Sequence, residues 1–354
     1  MRSHSSFYFA IGSLTAAALV ATLAAQGRQG PGVQAPADAR EPELLKTCKT
    51  PPVVAAGGGA GGGGIGWQGE AKDVTSTAIP GVIAAGQKWK VLWSDEGNNA
   101  DGIVGTNDGS VLIGQNDKSD VVKVDKNGKA SVIYTGTNTG GTLGMNNKGE
   151  LFVASRGYQA AILQLAPQRR IVANKVDGDW WDCIGGVLHD LSPDGKGGIY
   201  VAIGKPVLYI DPKGNVTKYD HPNLRGNGII LSPDEKRLYV TTGASLMAFD
   251  VQANGKLTNL REFAKLPDGA GDGLAVDAVG RVYASGGGLA IRVVDKDGMV
   301  LGEIPTPANT AAVAFGGPNK KMLYAIQLRG EGGKRFVDLI GIQMIAQGYK
   351  GRPK

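Results

Sequence analysis

Short apolar runs alternate with polar turn clusters along most of the chain, and the alternation keeps a period. An apolar–aromatic–apolar triplet, or a close variant, appears as "VLI" at 111, "LFV" at 151, "IYV" at 199, "LYV" at 238, "VYA" at 282 and "LYA" at 323. The intervals are 40, 48, 39, 44 and 41 residues. Each triplet follows a turn cluster: "TNDGS", "NNKGE", "SPDGKGG", "SPDEKR", "DAVGR" or "GPNKK". A short apolar strand such as "GIILS" or "GLAVD" precedes each cluster. A hairpin with its own turn comes after the triplet, as in "VVKVDKNGKASVIY" and "VLYIDPKGNVTKY". Runs of this length with such punctuation read as strands, four to a unit.

A four-stranded unit of 40 to 45 residues cannot bury both of its faces alone, so it must pack against copies of itself. Six such units predict an all-β, six-bladed β-propeller. A β-sandwich uses similar turns but does not require six regular repeats. The last strand, "FVDLIGIQMI", is expected to pair with material near "QKWKVLW" and close the ring. The domain reading is a signal peptide over 1–25, a low-complexity extension over 26–85, the propeller over 86–348 and a basic tail over 349–354.

Composition agrees with a turn-rich β protein: 56 of 354 residues are Gly, and aromatics are 6%. The net charge of +6 is spread among acidic residues. No basic stripe interleaved with aromatics appears, so nucleic acid is not an expected partner. Arg2 followed by "FYFAIGSLTAAALVATLAAQ", with small residues at Ala24 and Ala25, reads as a cleaved export signal. The competing reading is a retained membrane anchor. After cleavage no membrane span is expected, and the protein is read as a periplasmic or secreted monomer. In an oxidising compartment Cys48 and Cys183 are expected to form a disulfide tying the extension to the body; two separate thiols are the alternative. "AAGGGAGGGGIG" lacks the Lys and Ser/Thr of a phosphate-binding loop and reads as linker.

Counting back from the triplets identifies candidate chemistry. Ten residues before each lie Asp101, Gly141, His189, Asp272 and Val313; eleven before Leu238 lies Asn227. These positions should begin the innermost strands and ring one mouth of the channel. Asp101, His189, Asn227 and Asp272 can all ligate a metal. Oxygen donors suit Ca²⁺, Mg²⁺ or Mn²⁺, and the imidazole draws toward Zn²⁺, Mn²⁺ or Fe²⁺. The plain alternative is that Asp-Gly and Asn-Gly simply open turns.

At these residues the chain resembles the regucalcin/gluconolactonase family of six-bladed propellers, over about 95–328 and most strongly over 223–325. "GNGIILSPDEKRLYVTTG" is similar to that family's Asn-Gly blade and "GDGLAVDAVGRVYASGGG" to its Asp-Gly blade. The resemblance implies a divalent cation, most often Ca²⁺, over the channel and hydrolysis of sugar lactones or related esters. It implies that Asn227 and Asp272 are ligands and that Asp272 accepts a proton from the attacking water. Asp101 stands where the family has Glu, one methylene shorter, with Glu96 a nearby substitute. His189-Asp190 stands where the family has Asn-Asp.

The expected chemistry is metal-assisted ester hydrolysis, with Asp272 or His189 as the base. No GxSxG elbow is present, which disfavours a serine hydrolase. Arg156 could contact substrate or be a solvated loop residue. Trp180 and Trp181 could stack a sugar or pack the insertion "VDGDWWDCIGG" against the extension. Two rivals are a non-catalytic propeller that binds a ligand or protein in the envelope, and a condensing or esterase propeller like strictosidine synthase.

Overall fold

In a computed structural model of the chain, which describes residues 38–50, 69–97, 99–106, 108–266, 271–286 and 288–352, every repeat folds as a four-stranded antiparallel sheet. Blade one comprises Ala100–Gly105, Val111–Gln115, Asp120–Val124 and Ala130–Tyr134. Blade two comprises Leu143–Met145, Leu151–Ser155, Ala161–Ala166 and Arg170–Ala173. Blade three runs from Asp190–Pro193 to Val216–Tyr219, blade four from Gly226–Leu231 to Leu257–Lys265, and blade five from Leu274–Val276 to Val300–Pro305. Blade six takes Asn309–Gly316, Met322–Glu331 and Lys334–Gln343 from the end of the chain and Lys90–Glu96 from before blade one. The ring closes as the sequence predicts, Lys90 facing Gly341 and Glu96 facing Phe336.

Strand alternation explains the packing. The middle residue of each triplet points toward the next blade and the outer two toward the previous one. Tyr200 packs with Ile229 and Leu231 of blade four, while Ile199 and Val201 pack with Phe152 and Ala154 of blade two. Tyr239 repeats this against Leu274 and Val276, and Tyr283 meets the Phe315 ring edge-on at 4.9 Å. Six apolar clusters result among the described residues, each between two neighbouring blades. Full burial of each such side chain contributes about 1.5–3 kcal/mol.

The polar clusters turn the inner strand into the second one. Asp194 Oδ1 accepts the N–H groups of Lys196 and Gly198 at 2.8 and 2.7 Å. Asp277 does the same for Val279 and Arg281, and Asn146 for Lys148 and Glu150. These carboxylates and amides hold a tight backbone turn that would otherwise leave N–H groups unpaired. The turns lie at the end of the propeller opposite the starts of the inner strands.

The packed body is wider than the limits 86–348 read from the sequence. Ile79, Val82 and Ile83 join the core between blades five and six. The basic tail straps the turn face. Ala346 N–H donates to Val82 O, Gly348 N–H to Lys320 O, and Tyr349 N–H to Val276 O. Arg352 is buried, donating to Glu235 Oε1 at 2.8 Å and to the carbonyls of Leu231 and Ser232 at 2.7 and 3.0 Å.

At the other end, a short helix, Glu41–Leu45, leads to Cys48, which is disulfide-bonded to Cys183 with Cα atoms 5.5 Å apart. Cys183 ends a 3-10 turn, Trp181–Cys183, in the long connection between blades two and three. The leader 1–25 and the glycine run lie outside the described residues. No helix among the described residues is long and apolar enough to cross a membrane.

Candidate functional site

Strand register places the predicted residues on one ring. Ile103 faces Ile113, Leu143 faces Val153, and Leu191 faces Val201. Ile229 faces Val240, Leu274 faces Ala284, and Val313 faces Ala325. Two residues before each of these inner positions stand Asp101, Gly141, His189, Asn227, Asp272 and Ala311. The sixth ring residue is therefore Ala311 and not Val313. The turn of blade six, with a 3-10 segment at Pro318–Lys320, is two residues longer than a ten-residue count allows. Both residues are apolar, so the number of polar ring positions is unchanged.

The glycines after Asp101, Asn227 and Asp272 do not serve turns. A Cβ on Gly102 would lie 2.1 Å from Gly141 O. On Gly228 it would lie 1.9 Å from Asp272 O, and on Gly273 2.9 Å from Ala311 O. Each glycine lets the next blade's backbone approach at ring level. Adjacent ring residues are thus in adjacent, touching strands, which a turn role does not require. Beneath them the buried Asp190 carboxylate joins three blades: Oδ1 accepts Thr142 Oγ1 and Leu191 N–H at 2.7 and 2.8 Å, and Oδ2 accepts Ile229 N–H at 3.0 Å. Thr241 Oγ1 accepts Gly228 N–H at 2.7 Å and donates to Asp272 O at 3.2 Å.

Arg156 is not a solvated loop residue. Its side chain is 2% exposed, and its Nη1 donates to Asp101 Oδ2 at 2.7 Å and Asn116 Oδ1 at 3.2 Å. Its Nε donates to Leu188 O at 2.6 Å and its Nη2 to His189 O at 3.0 Å. The guanidinium fills the space that blade two leaves by having no side chain at its ring position. A Cβ on Gly141 would lie 2.3 Å from Arg156 Nη1 and 2.4 Å from Asp101 Oδ1. Asp101 Oδ1 is buried there without a hydrogen-bond partner. Sequence reasoning missed Asn116 and the link between Gly141 and Arg156; a small residue at one ring position was the available signal.

His189, Asn227 and Asp272 are each half-buried. The His189 imidazole has its pKa lowered to about 4, by burial first and by the Arg156 cation second, with Asp190 opposing. It is therefore neutral near pH 7, with a nitrogen lone pair free to ligate, but a poor general base. Asp117, on the hairpin beside Asp101, has its carboxyl pushed up by burial, with Arg335 pulling the other way and Asp101 adding to the rise.

These observations test the expected divalent ion. Among the described residues no three of His, Cys, Asp or Glu form a metal-ligand group, so Asp101, His189 and Asp272 do not converge on one point. Asp101 is committed to Arg156. Glu96 offers no substitute: it lies on the outermost strand of blade six and pairs with Lys334 at 3.0 Å. The other ring residues with donor side chains, His189, Asn227 and Asp272, stand on three consecutive blades.

The tryptophans sit farther out. Trp181 is 3% exposed in the core between blades two and three. The Trp180 ring stacks under Lys175 Nζ at 4.0 Å. It also lines a shallow cleft of about 450 Å³ with Arg40, Leu44, Thr47 and Tyr158.

Comparison with known proteins follows this geometry. Residues 180–327 match the model of the SMP-30/Gluconolactonase/LRE-like region. No curated protein matches the chain. A gluconolactonase from Xanthomonas campestris is 21% identical, with a TM-score of 0.63 over 79% of this chain and 98% of its own. A putative gluconolactonase is 19% identical, with a TM-score of 0.64 over 78% and 100%. A regucalcin from Agrobacterium tumefaciens, described as a calcium-binding protein, is 19% identical, with a TM-score of 0.55 over 73% and 96%. The chain therefore carries an SMP-30/gluconolactonase/LRE-like region, which spans His189, Asn227 and Asp272 and is set in the six-bladed propeller these structures share.

Proposed function

We propose that the channel mouth is the active site of an exported hydrolase that opens a small cyclic ester of the sugar-lactone class. One observation carries the reading: three donor residues stand at one register of three consecutive blades, all inside the region that matches the gluconolactonase family model. His189, Asn227 and Asp272 would hold a divalent cation, and when bound such an ion polarises an ester carbonyl and steadies the charge that develops on its oxygen. Asp272 orients the attacking water and takes its proton, because it is the one carboxylate among the three. His189 serves as a neutral donor and not as the base, since its lowered pKa leaves it little basicity. Asp190 and Thr241 hold the three strands in register. The disulfide supports export to an oxidising compartment.

Turnover of a lactone panel by pH-stat, with and without chelator, tests this. Metal-dependent hydrolysis that disappears in Asp272→Ala is the expected result. A folded wild type that turns over no lactone with zinc, manganese or calcium supplied would favour the ligand-binding alternative.

A further inference from the structure

We propose that the cleft between the N-terminal extension and Trp180 is a second binding site, for a neutral saccharide unit. The inference deepens the proposed function: the cleft holds the glycosyl group of a lactone that carries one. Its binding arm does not depend on that reading.

The cleft lies on the mouth face. Tyr158 and Gln159 belong to the connection between Leu151–Ser155 and Ala161–Ala166, and Trp180 to the connection that leads to His189. Both connections are at the end where the inner strands start. Tyr158 is two residues from Arg156, so their Cα atoms are within about 7 Å of each other, and Arg156 donates to Asp101 on the ring. A ligand against Tyr158 therefore stands near the edge of the ring.

The extension makes the site. Residues 39–47 form one bank and the mouth connections the other. Both banks are held in place. Cys48 is bonded to Cys183, Lys49 N–H donates to Asp179 Oδ1 at 3.1 Å, and Lys49 Nζ donates to Asp177 O. Leu44 is buried. On the other bank the Asp182 carboxylate accepts the Gln159 and Ala160 N–H groups at 3.0 and 3.1 Å, fixing one connection to the other. The enclosed volume of about 450 Å³ falls in the range of roughly 300–1,000 Å³ usual for small-molecule sites.

The lining selects the ligand. Tyr158 and Trp180 supply aromatic rings, each held by a cation, Arg40 at 4.3 Å and Lys175 at 4.0 Å. Thr47 and Gln159 add hydrogen-bonding groups. The charges of the lining are already matched, Arg40 by Asp38 at 2.7 Å and Glu43 by Lys46 at 2.6 Å. An anion would have to compete with Asp38 for Arg40, whereas a neutral polar ligand disturbs neither pair. A pyranose ring meets these terms: its C–H face packs on an aromatic ring, and its hydroxyls bond to amide, hydroxyl and carboxylate groups.

The test is isothermal titration of the full-length, disulfide-bonded protein with cellotriose, maltotriose and xylotriose, and with sodium sulfate as the anion. Wild type, Trp180→Ala and Ala39→Phe are compared; Trp180→Ala removes a wall, and Ala39→Phe fills the cleft from an exposed position. The expected result is that at least one oligosaccharide binds with a Kd of about 1 mM or tighter and that each variant weakens it by about tenfold or more. With lactones, Trp180→Ala should raise KM for cellobionolactone by about tenfold and leave its kcat and the KM for gluconolactone within about twofold. Wild type that binds none of the three sugars, or binds sulfate more tightly than all of them, would overturn the inference. So would unchanged sugar binding in either variant that folds, or an equal rise in KM for both lactones. Sugar binding that behaves as expected in a protein that turns over no lactone would confirm this site and defeat the proposed function alone.

Discussion

The two halves of the ring are built to different ends. Blades three to five present His189, Asn227 and Asp272, half-buried on strands whose register is secured from below by Asp190 and Thr241. Blades six, one and two present Ala311, Asp101 and Gly141, and there the one carboxylate is paired internally with Arg156. One half carries imidazole, amide and carboxylate side chains at the mouth; the other pairs its carboxylate with a buried cation. The difference teaches that a shared register fixes where a residue begins its strand but not what its side chain meets, which depends on the neighbouring blade.

The comparison can be broken most directly at blades three to five. Asp272→Ala should lower kcat for lactone hydrolysis by about a thousandfold, with little change in the unfolding midpoint. A variant that retains activity would remove the functional half of the contrast. Around Arg156 the effect should be on stability. Arg156→Met leaves Asp101 without its counterion, and since that carboxylate is 21% exposed the expected cost is about 2–4 kcal/mol in urea unfolding. Asn227→Ala, at a half-buried position, should cost under about 1 kcal/mol. Equal losses for the two would erase the distinction.

A smaller effect is expected from Gly141→Ala. Its methyl group would displace Arg156, Asp101 and Asn116, and overpacking of this kind costs about 1–3 kcal/mol. The least effect comes from pH. His189 has a folded pKa of about 4 against an ordinary value of 6.5. The unfolded chain therefore binds more protons between these values, so stability is complete above about pH 6.5 and is lost as pH falls toward 4. In chelator, His189→Gln should flatten that limb by on the order of 1–2 kcal/mol. Identical pH profiles for the two proteins would contradict the burial of this imidazole.

Much of this architecture was legible in the chain because its signals are local. Triplets and turn clusters repeat, and a propeller needs nothing beyond that repetition and a closing strand. Counting back from the triplets found five of six ring positions, and it failed at Val313 only because two extra residues in one turn shift the count to Ala311. The Arg156 pairing was not legible, since it depends on Gly141 and Leu188 from separate parts of the chain meeting around one guanidinium. The same holds for Glu96: it is near Asp101 in sequence, but a strand that closes blade six carries it to the rim. That the basic tail is a strap was not legible, because Arg352 finds its acceptors in blade four, more than a hundred residues earlier.

That tail has a practical meaning. Because residues 345–352 are laid across the turn face, an affinity handle appended beyond them would emerge on the side away from the starts of the inner strands. Protein captured on a sensor surface through such a handle would keep its entrance toward the flowing solution, which suits this molecule to direct ligand screening without re-engineering.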